Sequence, residues 1–456
     1  RFYFFVWCIR RDRLKNLKLA AVCLSCLTMT GCSALNFSVE GLINAPKLTS
    51  EQSEIHQALI ESVGSNITLK YPKNGEYRSA YVIANIDDEP TDEAMVFYEY
   101  TSNGSEEDGL RVNILDKDEK GKWYSVKELA GAGTDIDQVI ISPMGSNNQT
   151  DVFVGYQNLT NDEKTMEIYS YTDGDFKRVA LDTYSVLEPL DINNDGYIEL
   201  ITIQRSTNND TGAVTAKASM LNMKNNEITR GENVDMCDNV TSYVSSKTGM
   251  LDSGRRAIFD GLTADGKLQT EIIYYRYSGL QNPMQLRSEK LLPLCTRPAG
   301  YYSEDMDGDG DVEIPSTSPM VGYENAVADE MLYMTTWSVY EDFYDLKTKY
   351  TGYYAISDGY FVTFPKRWNS SVTVKKDSDT NELVFYKYTG DINESNEEIM
   401  RIAVSSKNDS EDYISDGYEL IDSKGQLDYF VKLPLDRREK LIPTIDEIQN
   451  NFYIIN

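Results

Sequence analysis

Two short acidic runs constrain this chain more than any other feature. DINNDGYIEL (191–200) and DMDGDGDVEI (305–314) each place Asp or Asn at the first, third and fifth positions, glycine sixth and glutamate ninth. Calcium takes six to eight oxygen ligands, so a short loop that wraps it must alternate its carboxylates and turn sharply. The helical calcium loop needs a bidentate acid at position twelve, and here those positions are Thr202 and Ser316. The segment ELITIQ (199–204), which continues the first run, alternates like a strand rather than an amphipathic helix. The pattern is therefore not an EF-hand.

A D-x-[DN]-x-D-G-x-x-[DE] loop set between two strands resembles the calcium hairpins of the FG-GAP/VCBS repeat family, whose repeats build the propellers of integrin α chains and of many bacterial surface proteins. The resemblance implies Ca2+ as the cofactor. Its ligands would be Asp191, Asn193, Asp195 and Glu199 in one loop, and Asp305, Asp307, Asp309 and Glu313 in the other. The seventh position, Tyr197 or Asp311, would give its backbone carbonyl.

Glu199 and Glu313 lie 114 residues apart, twice 57, so weaker copies are sought one period away. In NIDDEPTDEAMVFYEY (85–100), Asn85, Asp87, Glu89 and Glu93 fall in the ligand slots, but Pro90 replaces the turn glycine, and proline cannot reach positive φ. SPMGSNNQTDVFVGYQ (142–157) keeps the loop-then-strand rhythm and has lost the acids before Asp151; LDSGRRAIFDGL (251–262) carries basic residues instead. Each unit has room for four short strands. The expected fold is mostly β: a propeller of about five four-stranded blades over 67–351, preceded by one helix and followed by a small α+β domain.

At the N-terminus, Arg10, Arg11, Arg13, Lys15 and Lys18 precede an apolar stretch from Leu19 to Met29. That is the layout of a secretory signal, and it is too short to span a bilayer as a mature helix. It ends in Met29-Thr30-Gly31-Cys32, which resembles a bacterial lipobox and implies lipidation of Cys32. The reading is a lipoprotein-type signal peptide over 1–31, a tether over 32–48 and a helix over 49–66. Thr49 and Gln52 form a capping-box pattern in that helix, and Ile55, Ala58, Leu59 and Val63 share a face. From 352 to 456 the loop motif is gone and alternating strands lead to a final helical segment beginning near Pro443.

The net charge of −29 argues against nucleic-acid partners and suits calcium capture outside the cell. With one histidine (His56), a Ser-His-Asp or Cys-His site is excluded unless the N-terminal helix caps it. No phosphate loop occurs. Cys237 and Cys295, 58 residues apart, are placed by that spacing at equivalent points of adjacent blades, as separate buried thiols. The tyrosine-rich runs 272–277 and 331–344 read as packing inside strands. Together these features point to a calcium-binding propeller, lipid-anchored on the extracellular face of a bacterial membrane and binding a protein or glycan. The rival is a carbohydrate-active enzyme with an acidic pair in the propeller funnel. A third reading gives recognition to the C-terminal module.

Overall fold

The computed structural model describes residues 48–455 apart from 88, 102–108, 146–149, 159–162, 173–174, 208–209, 212–213, 225–226, 252–253, 342 and 437. The signal segment, Cys32 and all but the last residue of the tether lie outside the described residues. The chain divides into two compact units, Arg1–Gln57 and Ala58–Asn456. The division falls within the helix Ser50–Val63, which begins with a reciprocal cap: Gln52 N donates to Thr49 Oγ1, and Thr49 N donates to Gln52 Oε1, both at 3.1 Å. No helix among the described residues is long and apolar enough to cross a membrane.

The second unit is mostly β, built from antiparallel sheets. Sheet 1 runs Tyr81–Ala84, Glu93–Tyr100, Leu110–Lys117 and Trp123–Ala130, with Ile67–Leu69 added at Tyr98–Tyr100. Sheet 2 is Asp135–Pro143, Thr150–Gln157, Lys164–Thr172 and Asp175–Tyr184. Sheet 3 is Val186–Leu190, Glu199–Thr207, Val214–Lys224 and Glu227–Arg230, with Val234–Asp235 paired to its third strand. Sheet 4 is Val240–Leu251, Gly254–Thr263, Lys267–Arg276 and Gly279–Gln281, with Thr296–Pro298 paired to its third strand. Sheet 5 is Ile314–Pro319, Tyr333–Glu341, Asp345–Ala355, Tyr360–Thr363 and, from the chain end, Phe452–Ile454. Sheet 6 is Val372–Lys376, Leu383–Lys387, Glu398–Ser406, Leu427–Lys432 and Glu419–Lys424 in spatial order.

The alternation of a strand explains how these sheets stack. Successive side chains point to opposite faces. In sheet 2, Val152 and Val154 enter a cluster with Val82, Met95 and Phe97 of sheet 1, while Phe153 enters one with Leu187, Leu200 and Leu221 of sheet 3. In sheet 3, Ile201 and Ile203 turn to Ala257 and Phe259 of sheet 4; Ile258 of sheet 4 turns to Ile314 and Tyr340 of sheet 5. The second strands of sheets 2, 3 and 4 are therefore apolar on both faces, which is why runs such as DVFVGY and ELITI are nearly continuous. The tyrosine-rich strands pack here too: the Tyr274 and Tyr340 rings lie 6.0 Å apart between sheets 4 and 5.

Two features of the structure bear on the sequence reading. Residues 351 and 352 lie inside the strand Asp345–Ala355; sheet 5 continues to Thr363 and then receives Phe452–Ile454. Val362 of sheet 5 shares a core with Val374, Phe385, Ile402 and Val431 of sheet 6, so the C-terminal segment is joined to sheet 5 by backbone pairing and by apolar packing. The cysteines also differ from the reading by spacing. Cys237 packs on the same apolar cluster as Cys295, and both flank sheet 4 as free thiols. The pair of helices Pro283–Leu286 and Ser288–Cys295, inserted between strands of sheet 4, brings Cys295 back to Cys237.

Candidate metal loops

Each of sheets 1, 2, 3 and 5 carries the same device where the chain enters one of its strands: the second strand in sheets 1, 2 and 3, and Ile314–Pro319 in sheet 5. A carboxylate there is buried, and it accepts the backbone N–H of the residue seven positions earlier: Ile86 to Glu93 at 2.8 Å, Met144 to Asp151 at 3.4 Å, Ile192 to Glu199 at 3.1 Å and Met306 to Glu313 at 2.8 Å. The four acceptors are at most 1% exposed, and the four donors are buried apolar residues. The strand registers agree, with Ala84 opposite Glu93, Ser142 opposite Asp151, Leu190 opposite Glu199 and Glu304 bridged to Glu313. In sheet 4 Leu251 pairs with Gly254, and buried Arg256 lies against the Phe343 ring.

Burial pushes these acids up: Glu93 and Glu199 to about 7 and Asp151 to about 6, with Asp195 adding to the shift at Glu199. Burial also raises Glu313, against the opposing pull of Lys349.

The two nine-residue loops fold alike. Asp191 accepts Asp195 N at 3.0 Å and Gly196 N at 3.1 Å; Asp305 accepts Gly308 N, Asp309 N and Gly310 N at 2.8, 3.1 and 2.9 Å. The seventh residue donates its N–H to the fifth carboxylate, Tyr197 to Asp195 at 3.0 Å and Asp311 to Asp309 at 2.9 Å. Both loops turn through left-handed backbone at the fourth and sixth positions: Asn194 and Gly196 in one, Gly308 and Gly310 in the other. The 85–93 loop has Pro90 at the sixth position and cannot make that turn.

Oxygen donors at this spacing fit a hard cation. Carboxylate oxygens of Asp305, Asp307 and Glu313 lie within 4.8 Å of one another, a separation two ligands of one calcium ion can have. Asp309 completes the acidic rim of that loop but is not one of the converging three. In 191–199, Asp191 turns one oxygen to Arg255 of sheet 4 at 2.6 Å, and Asn193 Nδ2 donates to Asp195 at 3.0 Å and Glu199 at 2.9 Å. Neither Arg255 nor Lys349, the cations at these loops, is legible from the nine-residue pattern, because both come from distant strands.

No protein-family model matches this sequence, and no curated protein matches it either. Among solved structures it is similar to a protein from Lactobacillus plantarum (11% identity over 72% of this chain and 93% of that one, TM-score 0.30). It is also similar to a rhamnogalacturonan lyase (9%, 70% and 74%, 0.31) and to a β-1,3-galactosidase bound to galactodeoxynojirimycin (8%, 66% and 95%, 0.23). Likenesses this distant carry no argument about chemistry, which is left to the residues.

The first strands of sheets 2, 3 and 4 border a cavity of about 550 Å³ lined by Asn74, Asp137, Gln138, Lys164, Glu188, Tyr243, Ser246 and Lys247, among others. Asp137 is committed to its neighbours, accepting Asn74 Nδ2 at 2.8 Å, Lys164 Nζ at 2.9 Å and Tyr184 Oη at 2.6 Å. Glu188 is raised by burial, with Ser246 and Lys247 opposing. A glycosidase needs one free acid and one free base or nucleophile facing each other. This cavity offers one carboxyl with a raised pKa beside one already bonded to three donors.

Proposed function

We propose that this chain is a calcium-stabilised β-propeller of the FG-GAP/VCBS type, lipid-anchored through Cys32 on the extracellular face of a bacterial membrane. It presents a rigid platform to a protein or glycan. The carrying observation is the matched pair of loops, in which Asp191 and Asp305 organise the turn by the same backbone bonds while Glu199 and Glu313 close it from the next strand. Five successive antiparallel sheets with shared apolar clusters support the ring. The Met29-Thr30-Gly31-Cys32 sequence supports the anchor. The committed state of Asp137 favours binding over hydrolysis in the cavity between sheets 2, 3 and 4.

A bound ion of the affinity usual for extracellular modules adds only roughly 0.4–1.4 kcal/mol per site at millimolar calcium, so it trims a blade and does not make the fold. The test is calcium titration of the full chain by calorimetry with parallel thermal melts. Binding that is lost in Asp191→Ala and is accompanied by a lower melting temperature supports the reading. Melts and heats indifferent to calcium and to chelator reduce the loops to acidic turns.

A further inference from the structure

We infer that Lys349 is the resident cation of loop 305–313, so a lysine rather than a metal ion holds that loop closed. This rests on the reading that such loops take calcium, and it adds that this one does not. Lys349 Nζ stands 2.8 Å from Asp307, 2.6 Å from Asp309 and 2.7 Å from Glu313. An ammonium has three protons to donate, and here each meets a different carboxylate. Tyr350 Oη adds a bond to Asp307 at 2.5 Å.

The placement is built into the sheet. Trp337 pairs with Tyr350 and Ser338 with Thr348, which leaves Lys349 as the extra residue of a β-bulge. A bulge re-aims a side chain. Sheets 1 and 2 carry a bulge at the same register, with Val126 and Val179 as the extra residues. Lysine thus takes a position held by valine elsewhere, in the sheet whose loop carries five acids; in sheet 3, whose loop has three, the pairing of the corresponding strands ends at Leu221–Arg230, short of this step.

A divalent ion and the ammonium would share Asp307 and Glu313, where like charges a few ångströms apart repel strongly. Calcium can enter this loop only by expelling Lys349 from three ion pairs. Removing the lysine leaves a loop with more carboxylates than 191–199 and takes away the cation that bonds three of them.

The test counts calcium equivalents on the full chain by calorimetry, with calcium chloride as the only probe. The wild type is expected to bind one, lost in Asp191→Ala and kept in Asp305→Ala. Lys349→Met is expected to bind a second, removed again by adding Asp305→Ala, while Lys349→Arg gains none. Two equivalents on the wild type, one of them lost in Asp305→Ala, overturn the inference while leaving calcium binding intact. A Lys349→Met protein with native near-UV dichroism and no gain overturns it as well. A wild type that binds none beside a Lys349→Met that binds one upholds the inference and sinks calcium at 191–199. If Lys349→Met does not fold, the Asp305→Ala comparison on the wild-type background still decides.

Discussion

The carboxylate of Glu93 accepts the backbone N–H of Ile86 at 2.8 Å with both residues at 1% exposure. The same bond recurs in sheets 2, 3 and 5, so the repeat is a latch whether or not the residues between its ends could hold a metal.

The latch in sheet 1 can be tested apart from metal, because its loop carries Pro90. Glu93→Ala removes the acceptor and strands a buried N–H, at about 1–3 kcal/mol. Glu93→Gln keeps an amide oxygen in the same place and should cost less than half of that. Urea midpoints give the ordering, and amide exchange at Ile86 localises it. Equal losses for the two variants would mean that packing, not the bond, is what matters.

Asp151 makes the latch of sheet 2 sensitive to pH. Burial lifts its carboxyl from 3.8 to about 6, so between those values the folded state binds more protons than the unfolded one. Its contribution is present below 3.8 and is lost as pH rises through about 6. The melting-temperature difference between wild type and Asp151→Asn should therefore move against the wild type over that window and stay flat above it. A difference moving in its favour would show a carboxylate stabilised as the anion.

Sheet 4 holds a charge pair sealed from water. Arg297 Nη2 meets Asp260 at 2.9 Å, with side chains 0% and 1% exposed, and Ser303 donates to the same aspartate from its N–H at 2.6 Å and its hydroxyl at 2.9 Å. Breaking such a pair from one side leaves a buried charge, at about 3–5 kcal/mol, whereas replacing both partners is close to neutral. Arg297→Met should accordingly lower the denaturation midpoint far more than Arg297→Met with Asp260→Leu. A double variant no better than the single one would assign the loss to packing around the guanidinium.

How much was legible in the sequence depends on range. The alternation in DVFVGY and ELITIQ, the acidic runs and the loop-then-strand rhythm are local or recurrent, and the buried acids of sheets 1, 2, 3 and 5 fall on them. Lys349 and Arg255 were not legible, because a bulge and a neighbouring hairpin set where they point. The meeting of Cys237 with Cys295 depends on two short helices that the strand rhythm does not announce. The pairing of residues beyond 352 with sheet 5 was not legible for a related reason: the loop motif ends before its sheet does, and the closing strand is almost a hundred residues away.

That closing strand supplies the last prediction. Phe452 stacks on Tyr360 at 5.1 Å between ring centroids and meets Tyr429 at 5.5 Å, joining sheet 5 to sheet 6, while Ile455 N donates to Gly359 O at 2.8 Å. Phe452 is 7% exposed, and truncating a buried phenylalanine costs about 3 kcal/mol or more. Phe452→Ala should therefore loosen both sheets together, seen as faster amide exchange in Tyr360–Thr363 and in Leu427–Lys432 and as earlier proteolysis after residue 363. Exchange that quickens in sheet 5 alone would show that the tail merely caps an edge, and that sheet 6 stands by itself.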